Sequence, residues 1–187
     1  MNKNQVRPKV AIFCGARFPN LPPPQLQEFI AEVKSVSAKL ASRYDLVYGG
    51  GTIGLMGVIA NQFLESGASV VGVIPTYLNT VEIMHSGLTD THHVLDLHDR
   101  KAKMEMLADL FLVFPGGVGT ADEFLEVLTL KSLSRHGKDI YVWNWNHFFD
   151  GLITFMKDGI KLGFISENLV QHCVIEVESS ILLDNLL

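Results

Sequence analysis

The sequence predicts an α/β protein built on one doubly wound, mainly parallel sheet. Short apolar runs alternate with longer segments of helical periodicity along the 187 residues, a pattern that is typical of βαβ units. Most of the apolar runs are continuous rather than alternating, as in parallel strands that helices cover on both faces. Because no internal repeat, low-complexity tract or linker interrupts this pattern, we expect residues 1–187 to form a single domain.

The individual elements can be placed along the chain. Residues 10–14, 46–48, 69–74, 92–95, 110–114, 140–143 and 173–177 have the composition of strands. The clearest helix follows the first of them, and prolines at 22–24 set its start because proline is tolerated in a first turn. Its apolar residues lie on one stripe: Leu26, Phe29, Ile30, Val33, Val36 and Leu40. These elements predict a Rossmann-like domain with about seven strands flanked by helices.

The composition limits the partners of the protein. A net charge of −5 provides no basic surface for duplex nucleic acid, and no stretch approaches the roughly 20 apolar residues that span a bilayer. The polar N-terminus, residues 1–9, lacks the apolar run of a signal peptide. Cys14 and Cys173 lie far apart and indicate reduced thiols. We therefore expect a cytoplasmic protein that binds neither nucleic acid nor a membrane.

Four unusual segments follow predicted strands. Residues 15–17 follow the first strand, 49–52 the second, 98–101 the fourth and 115–120 the fifth. In a doubly wound sheet, ligands bind beyond the carboxyl ends of the strands, where loops lead into helix N-termini. Because all four segments lie on that edge, we expect them to converge on one pocket.

Two of these segments are rich in glycine and open a helix. Glycine lets the backbone approach a ligand closely, and the helix N-terminus directs N–H groups and a positive dipole at an anion. The alternative is that both segments are only tight strand-to-helix turns. We expect an anionic ligand to contact these residues and the glycine after the first strand, which together are Gly15, Gly50, Gly51, Thr52, Gly116, Gly117, Gly119 and Thr120.

The 49–54 run also fits the G-x-G-x-x-G pattern of dinucleotide-binding folds. That pattern expects an acidic residue about 20 positions later, at the end of the next strand. Here the strand ends in the residues IPTY at 74–77, without a carboxylate, so a dinucleotide cofactor is disfavoured.

Three charged residues are candidates for the chemistry. Arg100 and Lys101 stand in a predicted first helical turn, where a cation opposes the helix dipole by about 0.3–1 kcal/mol. An arginine–lysine pair there favours ligand binding over a purely structural role. For Glu123 the helix dipole favours the position, because acidic residues stabilise a first helical turn. Asp122 and Glu123 in a first turn would then be dipole partners without any catalytic role. The adjacent His92 and His93 point to opposite faces of a strand, so no metal site is expected.

The chain resembles the Lonely Guy phosphoribohydrolases at three ordered elements. Residues 115–123, PGGVGTADE, match the P-G-G-x-G-T-x-x-E signature of that family. Residues 98–104 match its H-x-R-K-x-x-M element, and residues 49–57, GGGTIGLMG, look like its G-G-G-x-x-G-L-M-G element. Shorter matches at 72–75 and 163–166 extend the resemblance from about residue 10 to residue 168.

The resemblance implies hydrolysis of the N-glycosidic bond of a nucleoside 5′-monophosphate to a free base and ribose 5-phosphate. Family members release active cytokinins from their nucleotides, so AMP or an N6-substituted AMP is the expected substrate. Arg100 and Glu123 would be the catalytic pair, with Lys101 and the glycine–threonine turns binding substrate. The resemblance implies no metal or organic cofactor, and a homodimer with active sites near the interface.

The sequence departs from the family at several positions. Val118 replaces a tyrosine of the signature, and the first strand ends in the residues CGAR at 14–17, where the family commonly has C-G-S-S. Residues 129–131, 138–139 and 147–149 also differ from the usual pattern. Since the catalytic pair is retained, the departures concern base preference more than reaction class.

Two other functions compete with hydrolysis. The same pocket would serve a nucleotide-binding protein that performs no chemistry. A pyridoxal-phosphate amino-acid decarboxylase would also place a phosphate on these glycines, but it needs a Schiff-base lysine. Lys101 is the only such lysine within a motif.

Overall fold

The structure, a computed structural model, describes residues 7–78 and 84–187. Residues 1–6 of the polar N-terminus lie outside the described residues. The strands are β1 (Lys9–Phe13), β2 (Asp45–Tyr48), β3 (Val70–Pro75), β4 (Asp90–Val94), β5 (Leu110–Val113), β6 (Asp139–Trp143) and β7 (Val174–Glu176). The helices are α1 (Pro23–Leu40), α2 (Gly54–Glu65), α3 (Leu97–Leu107), α4 (Val118–Ser132), α5 (Asp150–Lys161) and α6 (Ser179–Leu186).

The seven strands form one sheet in the order β4-β3-β2-β1-β5-β6-β7, and every pair is parallel. The predicted doubly wound α/β fold is therefore confirmed. Strand β1 lies in the middle, where Val10 is in register with Leu46 of β2 and with Leu110 of β5. The strand order changes direction between β1 and β5, which makes this the switch point at which doubly wound sheets bind ligands.

The strand boundaries differ most from the prediction at β4. This edge strand runs from Asp90 to Val94, two residues earlier than predicted at its start and one residue earlier at its end. Leu95 lies beyond it with 77% of its surface exposed. The edge position explains the shift, because a strand with one neighbour lacks the continuous apolar run that marks the central strands.

Alternating side chains of the central strand divide the core into two layers. Val10 and Ile12 pack with residues of α1, α2 and α6, whereas Ala11 and Phe13 pack with residues of α3, α4 and α5. Both faces of β1 are thus covered, as the continuous apolar run predicted.

Helix α1 begins as predicted, with Pro22 as its N-cap and proline in its first turn. Phe29, Val33, Val36 and Leu40 of the predicted stripe are fully buried. Within the part of the chain that the structure describes, no helix is long and apolar enough to cross a membrane.

Candidate active site

A cavity of about 370 Å³ opens at the switch point between β1 and β5. Its position is the one expected from the strand order, beyond the carboxyl ends of the two central strands. The walls come from the loop after β1, the first turn of α2, the first two turns of α4 and one residue of α3. The lining residues are Cys14, Gly15, Ala16, Arg17, Met56, Arg100, Gly117, Gly119, Thr120 and Glu123.

The loop after β1 and the turn before α4 are joined directly. The N–H of Gly15 donates to the carbonyl oxygen of Pro115 at 3.1 Å, and the carbonyl of Gly15 accepts from the N–H of Leu55 at 3.2 Å. A Cβ on Gly116 would lie 2.1 Å from Oγ1 of Thr120 and 2.8 Å from the nitrogen of Gly15. Gly116 is therefore a spacer: it lets the two loops meet so closely that their residues share one wall.

Helix α4 presents its N-terminus to the cavity. The helix begins at Val118 after the N-cap residue Gly117, whose side-chain position supplies no capping group. The first backbone bond of the helix runs from the N–H of Ala121 to the carbonyl of Gly117, so the N–H groups before Ala121 have no intrahelical acceptor. Gly117, Gly119 and the buried Thr120 line the cavity at this end. Together these groups offer an anion several donors and the positive end of the helix dipole.

Arg100 reaches the cavity from the opposite side, on helix α3. The helix is capped by Asp96, whose carboxylate accepts from the N–H of Asp99 at 2.9 Å. Arg100 is only 9% exposed, and its Nε has no hydrogen-bond partner among the described residues. A guanidinium so deeply buried with an unsatisfied donor is suited to a ligand that supplies the acceptor.

Gly49 makes room for this arginine. A Cβ at position 49 would lie 1.7 Å from Nη2 of Arg100 and 2.8 Å from its Cζ, so any side chain there would displace the guanidinium. Met56 lines the cavity beside it. The first glycine of the 49–54 run thus positions Arg100 and does not itself line the cavity.

Glu123 supplies the carboxylate of the cavity. Because α4 begins at Val118, Glu123 lies in its second turn, and the helix has no acidic residue in its first turn. The prediction that Asp122 and Glu123 stand in the first turn is wrong, which removes the helix dipole as the explanation for Glu123.

The cavity also contains a thiol that remains protonated. Burial raises the pKa of Cys14 well above its ordinary value, the charge of Glu123 adds to this shift, and the charge of Arg100 opposes it. Both charged groups therefore act on the same sulfur. Besides the neutral Cys14, the titratable side chains of the cavity lining are those of Arg17, Arg100 and Glu123.

Lys101 lies outside the cavity. Its Nζ donates to Asp122 at 2.9 Å and also forms an ion pair with Glu126, so that it joins α3 to α4. Burial alone would lower the pKa of Lys101, but the hydrogen bonds and charges of Glu126 and Asp122 outweigh it and raise the pKa. In the structure, this residue, which was predicted to bind substrate, links two helices through ion pairs.

Replacing Lys101 with methionine is expected to lower the free energy of unfolding at pH 8 by about 1 kcal/mol, because two ion pairs are lost. Because the pKa of Lys101 is raised in the folded state, its charge stabilises the folded protein at pH values below the unfolded pKa of about 10.4. This stabilisation disappears as the pH rises through the folded pKa. Urea denaturation of both proteins at pH 8 and pH 11 tests this. If the two proteins differ in their free energy of unfolding by the same amount at pH 8 and at pH 11, the prediction is contradicted.

Gly50, Gly51 and Thr52 do not line the cavity. The carbonyl of Gly50 accepts from the N–H of His85 at 3.0 Å, and Gly51 forms an isolated bridge with Met84. Thr52 is exposed. These residues attach the chain around residues 84–85 to the turn after β2, and the structure does not bring them together with the other predicted site residues.

Gly54, the last glycine of the 49–54 run, is required for packing within the chain. It has a φ of +65°, and a Cβ would lie 2.4 Å from the carbonyl carbon of Ala16 and 2.6 Å from the nitrogen of Arg17. The start of α2 therefore packs against the loop after β1 through backbone atoms alone. Gly54 therefore packs against the backbone of Ala16 and Arg17, two residues that line the cavity.

Four lining residues were not among the predicted site residues: Cys14, Ala16, Arg17 and Met56. A signal existed for Ala16 and Arg17, because residues 15–17 follow the first predicted strand on the same sheet edge as the other candidates. The predicted strand includes Cys14 as its last residue, whereas β1 ends at Phe13. Met56 lies within the G-L-M-G element, where its apolar character concealed it. Among the described residues, no three His, Cys, Asp or Glu side chains are grouped as in a metal site.

Comparison with known proteins agrees with the resemblance. Residues 56–186 match a family model with the description "possible lysine decarboxylase". A cytokinin riboside 5′-monophosphate phosphoribohydrolase of Rhodococcoides fascians is 41% identical over 87% of this chain and 82% of its own length. One of the Arabidopsis thaliana enzymes of the same name is 34% identical over 92% of this chain and 78% of its own.

A solved structure shows the same fold at low identity. The molybdenum cofactor carrier protein of Chlamydomonas reinhardtii has a TM-score of 0.68 with 13% identity, over 97% of this chain and 96% of that one. At this identity the similarity concerns the fold alone. The family model covers more than half of the chain, and both relatives exceed 30% identity over most of their own length. This chain therefore belongs to the Lonely Guy family.

Proposed function

We propose that this protein hydrolyses the N-glycosidic bond of a nucleoside 5′-monophosphate, AMP or an N6-substituted AMP of the cytokinin type. The products are the free base and ribose 5-phosphate. One observation carries the proposal: a carboxylate, Glu123, and a buried arginine with an unsatisfied donor, Arg100, line a cavity that ends in the N-terminus of α4. The names of the relatives describe this reaction on cytokinin riboside 5′-monophosphates.

The N-terminus of α4 is the place for the 5′-phosphate. The backbone N–H groups near Gly117 and Gly119, together with the hydroxyl of Thr120, lie at the positive end of the helix. Phosphate binding there directs the ribose toward Glu123, one turn further along the same helix. The fixed phosphate then holds the glycosidic bond near the carboxylate.

Glu123 acts on the charge that develops during bond cleavage. As the C1′–N bond breaks, positive charge grows on the ribosyl ring, and the bonding electrons leave with the base. The carboxylate stabilises this charge and orients a water molecule whose oxygen adds to C1′. The hydroxyl group of this water stays on C1′, and its remaining proton is transferred to the leaving base. One water is therefore consumed for each nucleotide. Arg100 donates to the substrate or to Glu123 and holds their relative orientation.

The structure bears on the two competing functions. A decarboxylase would need a lysine that reaches the phosphate site, but Lys101 is engaged by Asp122 and Glu126, and no lysine of residues 7–78 and 84–187 lines the cavity. The non-catalytic nucleotide-binding protein uses the same pocket and differs only in turnover. Glu123 favours the hydrolase, because its carboxylate stabilises the positive charge that develops during bond cleavage, whereas a site that only binds a nucleotide does not need it.

Incubation of the purified protein with AMP and with N6-isopentenyl-AMP, followed by chromatography of the base and assay of ribose 5-phosphate, tests the proposal. Equal molar amounts of both products from either nucleotide are expected. Binding of both nucleotides without any release of base would instead establish the non-catalytic protein. The ratio of the two rates gives the base preference.

We also propose that residues 1–187 act as one nucleotide-binding domain, which assembles as a homodimer in the cytoplasm. The apolar side chains of Leu95, Leu97 and Met106 are 77%, 47% and 63% exposed around β4 and α3, and they support an interface on this side. Cys14 is a free thiol, as in a reducing compartment. Light scattering coupled to size exclusion tests the assembly: a mass of one chain would overturn the dimer.

A further inference from the structure

We propose that Arg17 binds the 5′-phosphate of the substrate and so acts as a residue that selects phosphorylated ligands. The inference rests on the proposed function and extends it to a residue that differs from the usual family pattern. Arg17 stands where the family commonly has serine, in the CGAR segment at residues 14–17. Arg17 lines the same cavity as Arg100 and Glu123.

The backbone of Arg17 is held next to the N-terminus of α4. Two residues earlier, Gly15 is bonded to Pro115, which immediately precedes the turn into that helix. On its other side the loop is packed against Gly54, so closely that a Cβ there would lie 2.6 Å from the nitrogen of Arg17. Arg17 therefore emerges between the first turns of α2 and α4, on a loop that both of them fix.

The side chain of Arg17 is available to a ligand. It is exposed and has neither a hydrogen bond nor an ion pair to another side chain of the described residues. The second arginine of the cavity, Arg100, is nine-tenths buried with an unsatisfied Nε. Two arginines thus face one carboxylate, Glu123, in a cavity whose thiol is neutral.

The excess of positive charge in the cavity fits a dianion. Glu123 offsets one arginine, and the second arginine and the helix N-terminus remain for a phosphate. Lys101 adds no charge here, because its ion pairs lie outside the cavity. An arginine fork donates two hydrogen bonds to phosphate oxygens, which a serine hydroxyl at the same position cannot match in charge or number.

The test compares Arg17→Ser, which introduces the common family residue, with Arg17→Lys and the control Arg135→Ser. Arg135 is exposed and follows α4 at its far end, where it lines no part of the cavity. Calorimetric titration with ribose 5-phosphate measures phosphate binding without any turnover. We expect Arg17→Ser to raise the Kd roughly tenfold to a hundredfold, Arg17→Lys to raise it less, and Arg135→Ser to leave it unchanged.

Salt and substrate dependence provide a second readout. The Kd of the unaltered protein should rise more steeply with NaCl concentration than that of Arg17→Ser, because one charge–charge contact is missing from the variant. For a nucleotide that the protein hydrolyses, Arg17→Ser should raise KM with little change in kcat. The rate of cleavage of the corresponding unphosphorylated nucleoside should stay the same.

The possible failures are distinguishable. An unchanged Kd for ribose 5-phosphate in Arg17→Ser would overturn the inference even if the protein hydrolyses nucleotides. An equal loss of activity on nucleoside and nucleotide would also overturn it, because Arg17 would then contact the base or ribose. If the protein binds ribose 5-phosphate through Arg17 but cleaves no nucleotide, the inference stands and the hydrolase proposal fails.

Discussion

Replacing Glu123 with glutamine should lower the rate of base release by about 10²–10⁴-fold, while the Kd for ribose 5-phosphate changes little. Glutamine keeps the size and polarity of the side chain but removes the negative charge that stabilises the developing ribosyl cation. Because Glu123 lies in the second turn of α4, beyond the N-terminal groups that we propose bind the phosphate, we expect binding and chemistry to depend on different residues of one helix. Single-turnover measurement of base release gives the effect on the chemical step directly.

Glu126→Gln is the matched control for this substitution. Glu126 lies one turn further along α4 and pairs with Lys101 outside the cavity. We expect its replacement to affect stability slightly and base release by less than about threefold, as for a partly exposed ion pair. Equal losses in both variants would show that α4 as a whole, and not the carboxylate of Glu123, determines the rate.

Gly49→Ala should reduce base release by roughly 100-fold, although residue 49 does not line the cavity. The added methyl group would lie 1.7 Å from Nη2 of Arg100, so the guanidinium has to move. A displacement of about 1 Å at a residue that orients the reacting groups is sufficient for such a loss. The measurement is kcat/KM for the nucleotide, together with the thermal midpoint of unfolding.

Two comparisons isolate this effect. Gly137→Ala adds a methyl group at a site where nothing lies within 4 Å, and it should leave kcat/KM unchanged. In the background of Arg100→Ala, the Gly49→Ala substitution should cause no further loss of activity, because the side chain that it displaces is already gone. Additive losses in the double variant would mean that Gly49 acts on the site by another route.

The location of the cavity follows from where the parallel strands end. Four segments far apart in the chain follow parallel strands, and three of them, at 15–17, 98–101 and 115–120, contribute to the cavity. The carboxyl ends of parallel strands must meet at one edge, so this convergence needs no knowledge of side-chain positions. The fold class and the location of the cavity were therefore predictable from the pattern alone.

Other parts of the site were not predictable, for physical reasons. Neighbouring residues on a helix project about 100° apart, so Arg100 and Lys101 point in different directions, and the sequence does not indicate which of them enters the cavity. Arg100 faces inward and Lys101 pairs with α4. A glycine run likewise marks any close approach of backbone, whether to a ligand or to another part of the chain. At Gly49 and Gly54 the close neighbours are Arg100 and Ala16.

The pairing of β1 with β5 has a consequence for how ligand binding and folding are linked. Val10 meets Leu110 across about a hundred intervening residues, so closing this contact costs more chain entropy than pairing neighbours in sequence. The cavity lies over that junction and exists only once the two halves of the sheet have joined. A bound nucleotide therefore stabilises the whole cooperative unit against unfolding, and occupancy raises the melting temperature of both halves together.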